Sequence, residues 1–275
     1  MRFTVLGSGS SGNSLVISSE TTNVLVDAGL SAREILRRLA EMGVDADDID
    51  GVLITHEHSD HAGGLRVLAG SLQCPVFISR VTEDAYYDTQ AGRNGDSESA
   101  KRRSALKDRT EEIESSRSFT IGDIDFEPFS VPHDAADNFG FVAKRDGVKL
   151  ATLMDFGHIN DCIRENLRGC DAIVVESNHS RDMLRTCSMY TWDLKQRIMS
   201  RIGHLSNEDL SDWLTNDFDG SARHIVLAHL SQRANEPNLA RLTAEVALQM
   251  RAPLFRAETK ISVSDNKRPT AWFTF

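Results

Sequence analysis

The chain has 275 residues, 40% of them hydrophobic, enough for one large core or two modest ones. Its net charge of −10 and pI near 5.4 leave no basic stripe in the totals, which speaks against a non-catalytic protein that wraps nucleic acid. No run approaches the roughly 18 apolar residues of a membrane span, no signal-like segment follows Arg2, and the cysteines (Cys74, Cys162, Cys170, Cys187) form no Cys-x-x-Cys pair, so reduced, mostly buried thiols in a cytoplasmic protein are expected.

Short apolar runs bounded by Gly, Ser, Asn or Asp predict strands at Phe3–Leu6, Ser14–Ser18, Asn23–Val26 and Gly51–Ile54. The loop Gly7–Asn13 between the first two has two readings, a tight turn or a phosphate-lining segment; it lacks the lysine of a P-loop. Ser31–Met42 carries Ile35, Leu36 and Leu39 on one face, an amphipathic helix capped by Ser31 and stopped by Gly43. Further strands are predicted at Pro75–Ile78, Ser118–Ile121, Ile124–Phe129, Gly140–Ala143, Lys149–Leu153, Ala172–Glu176 and His224–Ala228. Helical patterns fall at Leu194–Arg201, Asn207–Leu214 and Asn238–Arg251. The order suggests antiparallel strand runs followed by helices, without simple βαβ alternation. The expected class is α/β (α+β), a four-layer αββα sandwich forming a single domain over 1–275. Residues 89–118 are charged and poor in large apolar side chains, as expected of an exposed insertion or mobile lid. The basic cluster Lys101, Arg102 and Arg103 within it fits a solvated face as well as a substrate contact.

The densest chemistry is His56-Glu57-His58-Ser59-Asp60-His61, directly after a predicted buried strand. Three imidazoles and two carboxylates in six residues would repel on protonation and compete for hydrogen bonds, a conflict that a divalent cation resolves by accepting their lone pairs. Such ligands suit zinc, manganese or iron rather than a thiolate site. A chance match to His-x-His-x-Asp-His is on the order of one in a thousand or less.

The hexapeptide resembles the metallo-β-lactamase superfamily, and the likeness runs along nearly the whole chain. Carried over residue by residue, it implies a first ion on His56, His58 and His133 (in Val131-Pro132-His133-Asp134). A second ion would take Asp60, His61 and His229 (in Leu227-Ala228-His229-Leu230-Ser231), with Asp155 bridging the two. Asp27, in Val26-Asp27-Ala28-Gly29, matches the aspartate that orients a ligand histidine. No cysteine occupies the position that true β-lactamases use, which speaks against antibiotic hydrolysis, and His58 speaks against a redox di-iron variant.

Leu227–Arg233 is similar to a stretch of ribonuclease Z-like phosphodiesterases, in which a histidine in the context of Gly203-His204-Leu205-Ser206 acts as general acid, held by a glutamate matching Glu176. The alternative for His204 is a helix-start residue without chemistry. The segments Gly7–Asn13, Val131–Ala135, Asp155–His158, Glu176–His179, Trp192–Arg197 and Gly203–Asp209 look like the YycJ/WalJ group, bacterial members associated with 5′→3′ exonuclease action on DNA. The resemblance therefore implies two divalent ions (Zn or Mn, or Fe), hydroxide attack on phosphorus oriented by Asp60, and protonation of the leaving oxygen by His204. DNA is the expected partner, with contacts from Asn13, His179, Arg181, Arg185 and Arg233 and no membrane association. The alternatives are a small-molecule hydrolase of the same fold (cyclic phosphodiester, thioester or lactone), an RNA-processing nuclease, and a regulatory protein that keeps only the fold.

Overall fold

The computed structural model describes residues 1–88, 96–106, 108–251 and 258–275, which fall into two compact units. The first comprises Met1–Pro128, Ala135–Phe139 and Asp265–Phe275; the second comprises Phe129–Asp134 and Gly140–Ser264. No helix among the described residues is long and apolar enough to cross a membrane.

The first unit is built on a mixed sheet of β1 (Arg2–Gly7), β2 (Ser14–Ser18), β3 (Asn23–Val26), β4 (Gly51–Leu53), β5 (Val76–Ile78), β6 (Thr110–Glu112) and the C-terminal β14 (Phe273–Thr274), in the order β14-β1-β2-β3-β4-β5-β6. β14 to β3 pair antiparallel and β3 to β6 pair parallel. The hairpin β7 (Phe119–Ile121) and β8 (Ile124–Ser130) belongs here too, except for the last residues of β8. The helices are α1 (Ala32–Glu41), α2 (Ser59–Ala62), α3 (Leu65–Ser71), α4 (Arg80–Asp88) and α5 (Asp96–Leu106). Ser31 caps α1 through the Glu34 amide, and Ile35 and Leu39 are fully buried in a cluster with Leu25, Val52 and Leu68. Truncating either would cost about 2–5 kcal/mol. Arg38 is buried on the same face, its guanidinium donating to Glu34, to the Leu6 carbonyl and to the Asn266 carbonyl.

The second unit carries β9 (Phe139–Arg145), β10 (Val148–Leu153), β11 (Ala172–Glu176), β12 (His224–Ala228) and β13 (Lys260–Val263) side by side. Only the β9–β10 pair is antiparallel. Its helices are α6 (Asp161–Leu167), α7 (Arg181–Thr186), α8 (Trp192–Ile198), α9 (Asn207–Asn216) and α10 (Pro237–Met250). A separate apolar cluster, including Leu153, Ile173, Val175, Leu214 and Leu227, fills this unit.

One expectation is corrected. The strands β3–β6 and β10–β13 are parallel and alternate with helices, whereas antiparallel runs without βαβ units were expected. The linking helices α3 and α6 have 7 residues each and β4 and β5 have 3, too short for a period to show. Within 89–118, residues 89–95 and 107 lie outside the described residues, and Asp96–Leu106 is a helix. Leu106 is buried, and the guanidinium carbons of Arg102 and Arg103 sit 4.6 and 4.3 Å from the ring centroids of Tyr86 and Tyr87. Apolar and cation–π contacts thus hold a segment whose composition is otherwise polar.

Candidate metal centre

In the first unit the histidine loop leaves the carboxyl end of β4 and runs into α2, a four-residue helix that places His58, Asp60 and His61 within one turn. The ring centroids of His56 and His58 are 4.7 Å apart, those of His56 and His61 are 4.2 Å apart, and His61 Nε2 lies 4.0 Å from an Asp60 oxygen. His56 and His61 are fully buried.

Asp27, one residue past β3, is the brace. Its carboxylate accepts from the Thr55 amide at 2.9 Å, from the Thr55 hydroxyl at 3.0 Å and from His61 Nδ1 at 2.7 Å. With Nδ1 committed as a donor, the lone pair of His61 lies on Nε2, the nitrogen a metal ligand would use, and here it accepts from Asn13 Nδ2 at 2.9 Å. Asn13, predicted as a substrate contact, is fully buried; its Oδ1 accepts from Ser8 and Gly9, and its Nδ2 reaches the Asp60 carbonyl and His61 Nε2. The glycine-rich loop thus supports the histidine loop from beneath. Gly29 completes the contact, because a Cβ there would sit 1.7 Å from the Asp60 carbonyl oxygen.

In the second unit, three neighbouring parallel strands deliver Asp155 (after β10), Glu176 (the last residue of β11) and His229 (after β12) at their carboxyl ends, where α/β folds place ligands. Fully buried Glu176 binds four donors. One oxygen accepts from His204 Nδ1 and His229 Nδ1, both at 2.8 Å; the other accepts from the Phe156 and Leu205 amides. Burial works to raise this carboxyl, but the charge of His204 and the hydrogen bonds from both histidines outweigh it and hold it ionised. Burial likewise works to lower His204, and the Glu176 charge, with hydrogen bonds to Asp155 and Glu176, outweighs it and favours the protonated ring.

His133 Nδ1 donates to the Ile202 carbonyl at 3.1 Å, while Nε2 lies 4.0 Å from Asp155. Its buried ring is pushed below the ordinary histidine range by desolvation, against the pull of Asp155, which keeps a nitrogen lone pair available. Asp155, Glu176, His204 and His229 bring ligand atoms within 4.8 Å of one another. Each unit thus presents histidines whose Nδ1 is already engaged, with carboxylates alongside. That donor set suits a divalent cation.

Several supporting residues escaped the sequence. Thr55 contacts Asp27, His56 and His61, yet a lone threonine before the motif carries no signal. A buried amide cluster ties together the loops of Glu176, His204 and His229. Asn178 donates to the His229 carbonyl, Asn207 and Asn235 exchange side-chain hydrogen bonds at 2.9 and 3.0 Å, and Asn235 also donates to the carbonyls of Ser177 and Asn178. Gly203 lets the His204 loop close on α8, since a Cβ there would meet the Arg197 carbonyl at 2.2 Å. Of the expected substrate contacts, His179 is buried with no hydrogen-bond partner at Nδ1 among the described residues. Burial brings its ring to about 4, so it is neutral at physiological pH. Arg181 pairs with Asp209 at 2.5 Å, and Arg233 is exposed.

The profile of the Beta-lactamase superfamily domain matches residues 22–230. The chain is 36% identical over 272 residues to the exodeoxyribonuclease YycJ of Bacillus anthracis, covering 98% of this chain and 97% of that protein. It is 36% identical over 242 residues to the exodeoxyribonuclease WalJ of Streptococcus pneumoniae, covering 88% and 86%. The solved structure of Zn(2+)-bound PqqB from Methylobacterium extorquens superposes with a TM-score of 0.72 at 15% identity, covering 98% and 99%, a likeness of fold. The domain profile, these near-full-length relatives and the histidine–carboxylate strand ends agree: the chain is a metal-dependent hydrolase and belongs to the metallo-β-lactamase superfamily.

Proposed function

We propose that the chain is a two-metal phosphodiesterase that degrades DNA as a 5′→3′ exonuclease in the cytoplasm. The observation that carries this reading is the grip of Glu176 on both His204 and His229 from a single buried oxygen. The names of the near-full-length relatives supply the nucleic-acid direction.

In this reading His56, His58 and His133 would hold one ion, Asp60, His61 and His229 would hold the other, and Asp155 would be shared. The chemistry that divalent ions would supply there is charge neutralisation at a phosphodiester and a lowered pKa for water near neutral pH. Asp27 fixes the His61 ring, and Glu176 fixes His229 through Nδ1. With its own Nδ1 tied to Glu176, His204 presents Nε2–H to the departing oxygen and gives up its proton there. Asn13 acts by positioning the histidine loop, while Arg181, Arg233 and His179 are assigned to the nucleic acid.

The test is an incubation of manganese- or zinc-loaded protein with end-labelled linear duplex DNA, beside Asp60→Ala and His204→Ala proteins. Stepwise, metal-dependent loss from the 5′ end, absent in both variants, is expected, with metal content nearly unchanged in His204→Ala. Equal metal loss in that variant removes the general-acid role. Intact DNA beside cleavage of a small phosphodiester, the substrate size that suits a net charge of −10, moves the activity to the small-molecule branch.

A further inference from the structure

Four large apolar side chains stand in solvent within one stretch of the second unit: Met189 at 68% exposure, Trp192 at 62%, Met199 at 37% and Ile202 at 48%. Trp213, in the same unit, is 5% exposed, so a tryptophan at the first turn of α8 is placed against the ordinary preference. The stretch is firmly mounted. Thr191 caps α8, and Lys195 beneath it donates to the Arg185 carbonyl at 2.7 Å.

Its ends are fastened to the loops of the candidate metal centre. The Tyr190 hydroxyl lies 3.2 Å from that of Ser231, two residues beyond His229. At the other end His204 N donates to the Ile198 carbonyl at 2.9 Å, and the Ile202 carbonyl accepts from His133 Nδ1. The cations around the stretch are unevenly matched. Asp182 lies 3.8 Å from Arg185 and Asp134 pairs with Arg197, but Arg201 and Arg233 make no ion pair among the described residues; Arg201 leans on the His158 ring nitrogen at 2.9 Å. An exposed indole on a stretch that includes Arg201 and is tied through Tyr190 to the loop of Arg233, neither arginine in an ion pair among the described residues, fits one chemistry, an unpaired nucleotide whose base stacks while its phosphates meet arginine.

We propose that Trp192, flanked by Met189, is a stacking platform for an unpaired base of the strand being cut, with Arg201 and Arg233 on its phosphates; this rests on the nuclease reading above. The test titrates zinc-loaded protein with a cleavage-resistant, phosphorothioate-linked single-stranded oligonucleotide while following tryptophan emission. Quenching is expected in the wild type and not in Trp192→Phe. Trp192→Ala should bind about tenfold more weakly and Trp192→Phe within about threefold of wild type. An oligonucleotide lacking its terminal bases should bind the wild type as weakly as the intact one binds Trp192→Ala. Leu242→Ala, an exposed apolar side chain on α10, is the control and should leave binding unchanged.

Unchanged affinity in Trp192→Ala, in a protein whose wild type cleaves DNA, overturns the platform and leaves the nuclease reading standing. A wild type that neither binds nor cleaves any DNA overturns both. A sedimenting dimer that Trp192→Ala dissociates, with oligonucleotide affinity unaltered, assigns the patch to self-association and overturns the platform as well.

Discussion

Glu176→Gln is the most informative single substitution, because it preserves shape and changes only what the side chain can accept. Glu176 receives two imidazole N–H groups on one oxygen and two backbone amides on the other. The amides cannot change, so the glutamine oxygen must face Phe156 and Leu205, and its NH2 must face His204 and His229. A ring that accepts from this NH2 presents an unprotonated Nδ1 and carries its proton on Nε2, in competition with Asp155, whose oxygen lies 2.5 Å from His229 Nδ1 and 3.3 Å from His204 Nδ1. For His229 that removes the lone pair assigned to metal, and for His204 it removes one of the two anions that favour the charged ring, leaving Asp155. Two charge-assisted bonds of about 1.5–3 kcal/mol each become neutral ones of about 0.5–1.5, a loss of about 2–3 kcal/mol. The melting temperature should fall by roughly 5–10 °C. Metal affinity should drop about 10–100-fold, and turnover by about 10²–10⁴. The pH profile carries the sign. A general acid is lost as pH rises through its pKa, and without the Glu176 charge that pKa falls, so the alkaline limb should move to lower pH. Calorimetry, chelator competition and a pH–rate series measure the three effects. A variant with unchanged metal affinity and an unmoved alkaline limb would falsify the role assigned to Glu176.

Asp27→Asn keeps a residue type that tolerates the left-handed backbone at φ 62° but turns an acceptor into a donor toward His61 or Thr55; chelator competition should show metal held about 10–100-fold less tightly. An unchanged chelator midpoint counts against the brace. Gly29→Ala forces a methyl into the Asp60 carbonyl and should destabilise by about 1–3 kcal/mol or more, with loss of metal content in the folded fraction; a wild-type melt rules this out. Asn207→Asp removes the donor that Asn235 Oδ1 accepts from and sets a carboxylate oxygen against that oxygen, a cost of about 2–3 kcal/mol read by thermal melting, with turnover lowered as well. An unaltered melt would mean that the amide cluster does not hold these loops.

What was legible follows from which forces act locally. Buried strands flanked by turn residues announced themselves, and Ser14–Ser18, Asn23–Val26, Ala172–Glu176 and His224–Ala228 have the predicted boundaries. The hexapeptide was legible because so many titratable groups in so few residues make little sense without a cation. Strand direction was not, since β4 and β5 look alike whether they pair parallel or antiparallel, and the short helices that settle the matter expose no period. Thr55 and Asn235 were invisible for a different reason. A single polar residue acquires its role only from what the fold brings beside it, and Asn235 meets Asn207 across 28 positions of sequence.

The backbone at the strand ends gives this a common physical root. Asp27, Asp155 and His229 all adopt left-handed conformations, at φ 62°, 58° and 54°, just past β3, β10 and β12. A strand that simply continued would send alternate side chains into the two faces of the sheet, where a ligand would be lost in the core or in solvent. A left-handed residue breaks the alternation at the carboxyl end, where a parallel sheet leaves its functional edge. Such conformations cost of order 1–3 kcal/mol each and persist only where surrounding contacts over-determine them. Those contacts are present: Asp27 accepts from Thr55 and His61, His229 donates to Glu176, and its carbonyl accepts from Asn178. The residues that escaped the sequence are therefore largely the ones that hold the legible residues in conformations they would not adopt alone.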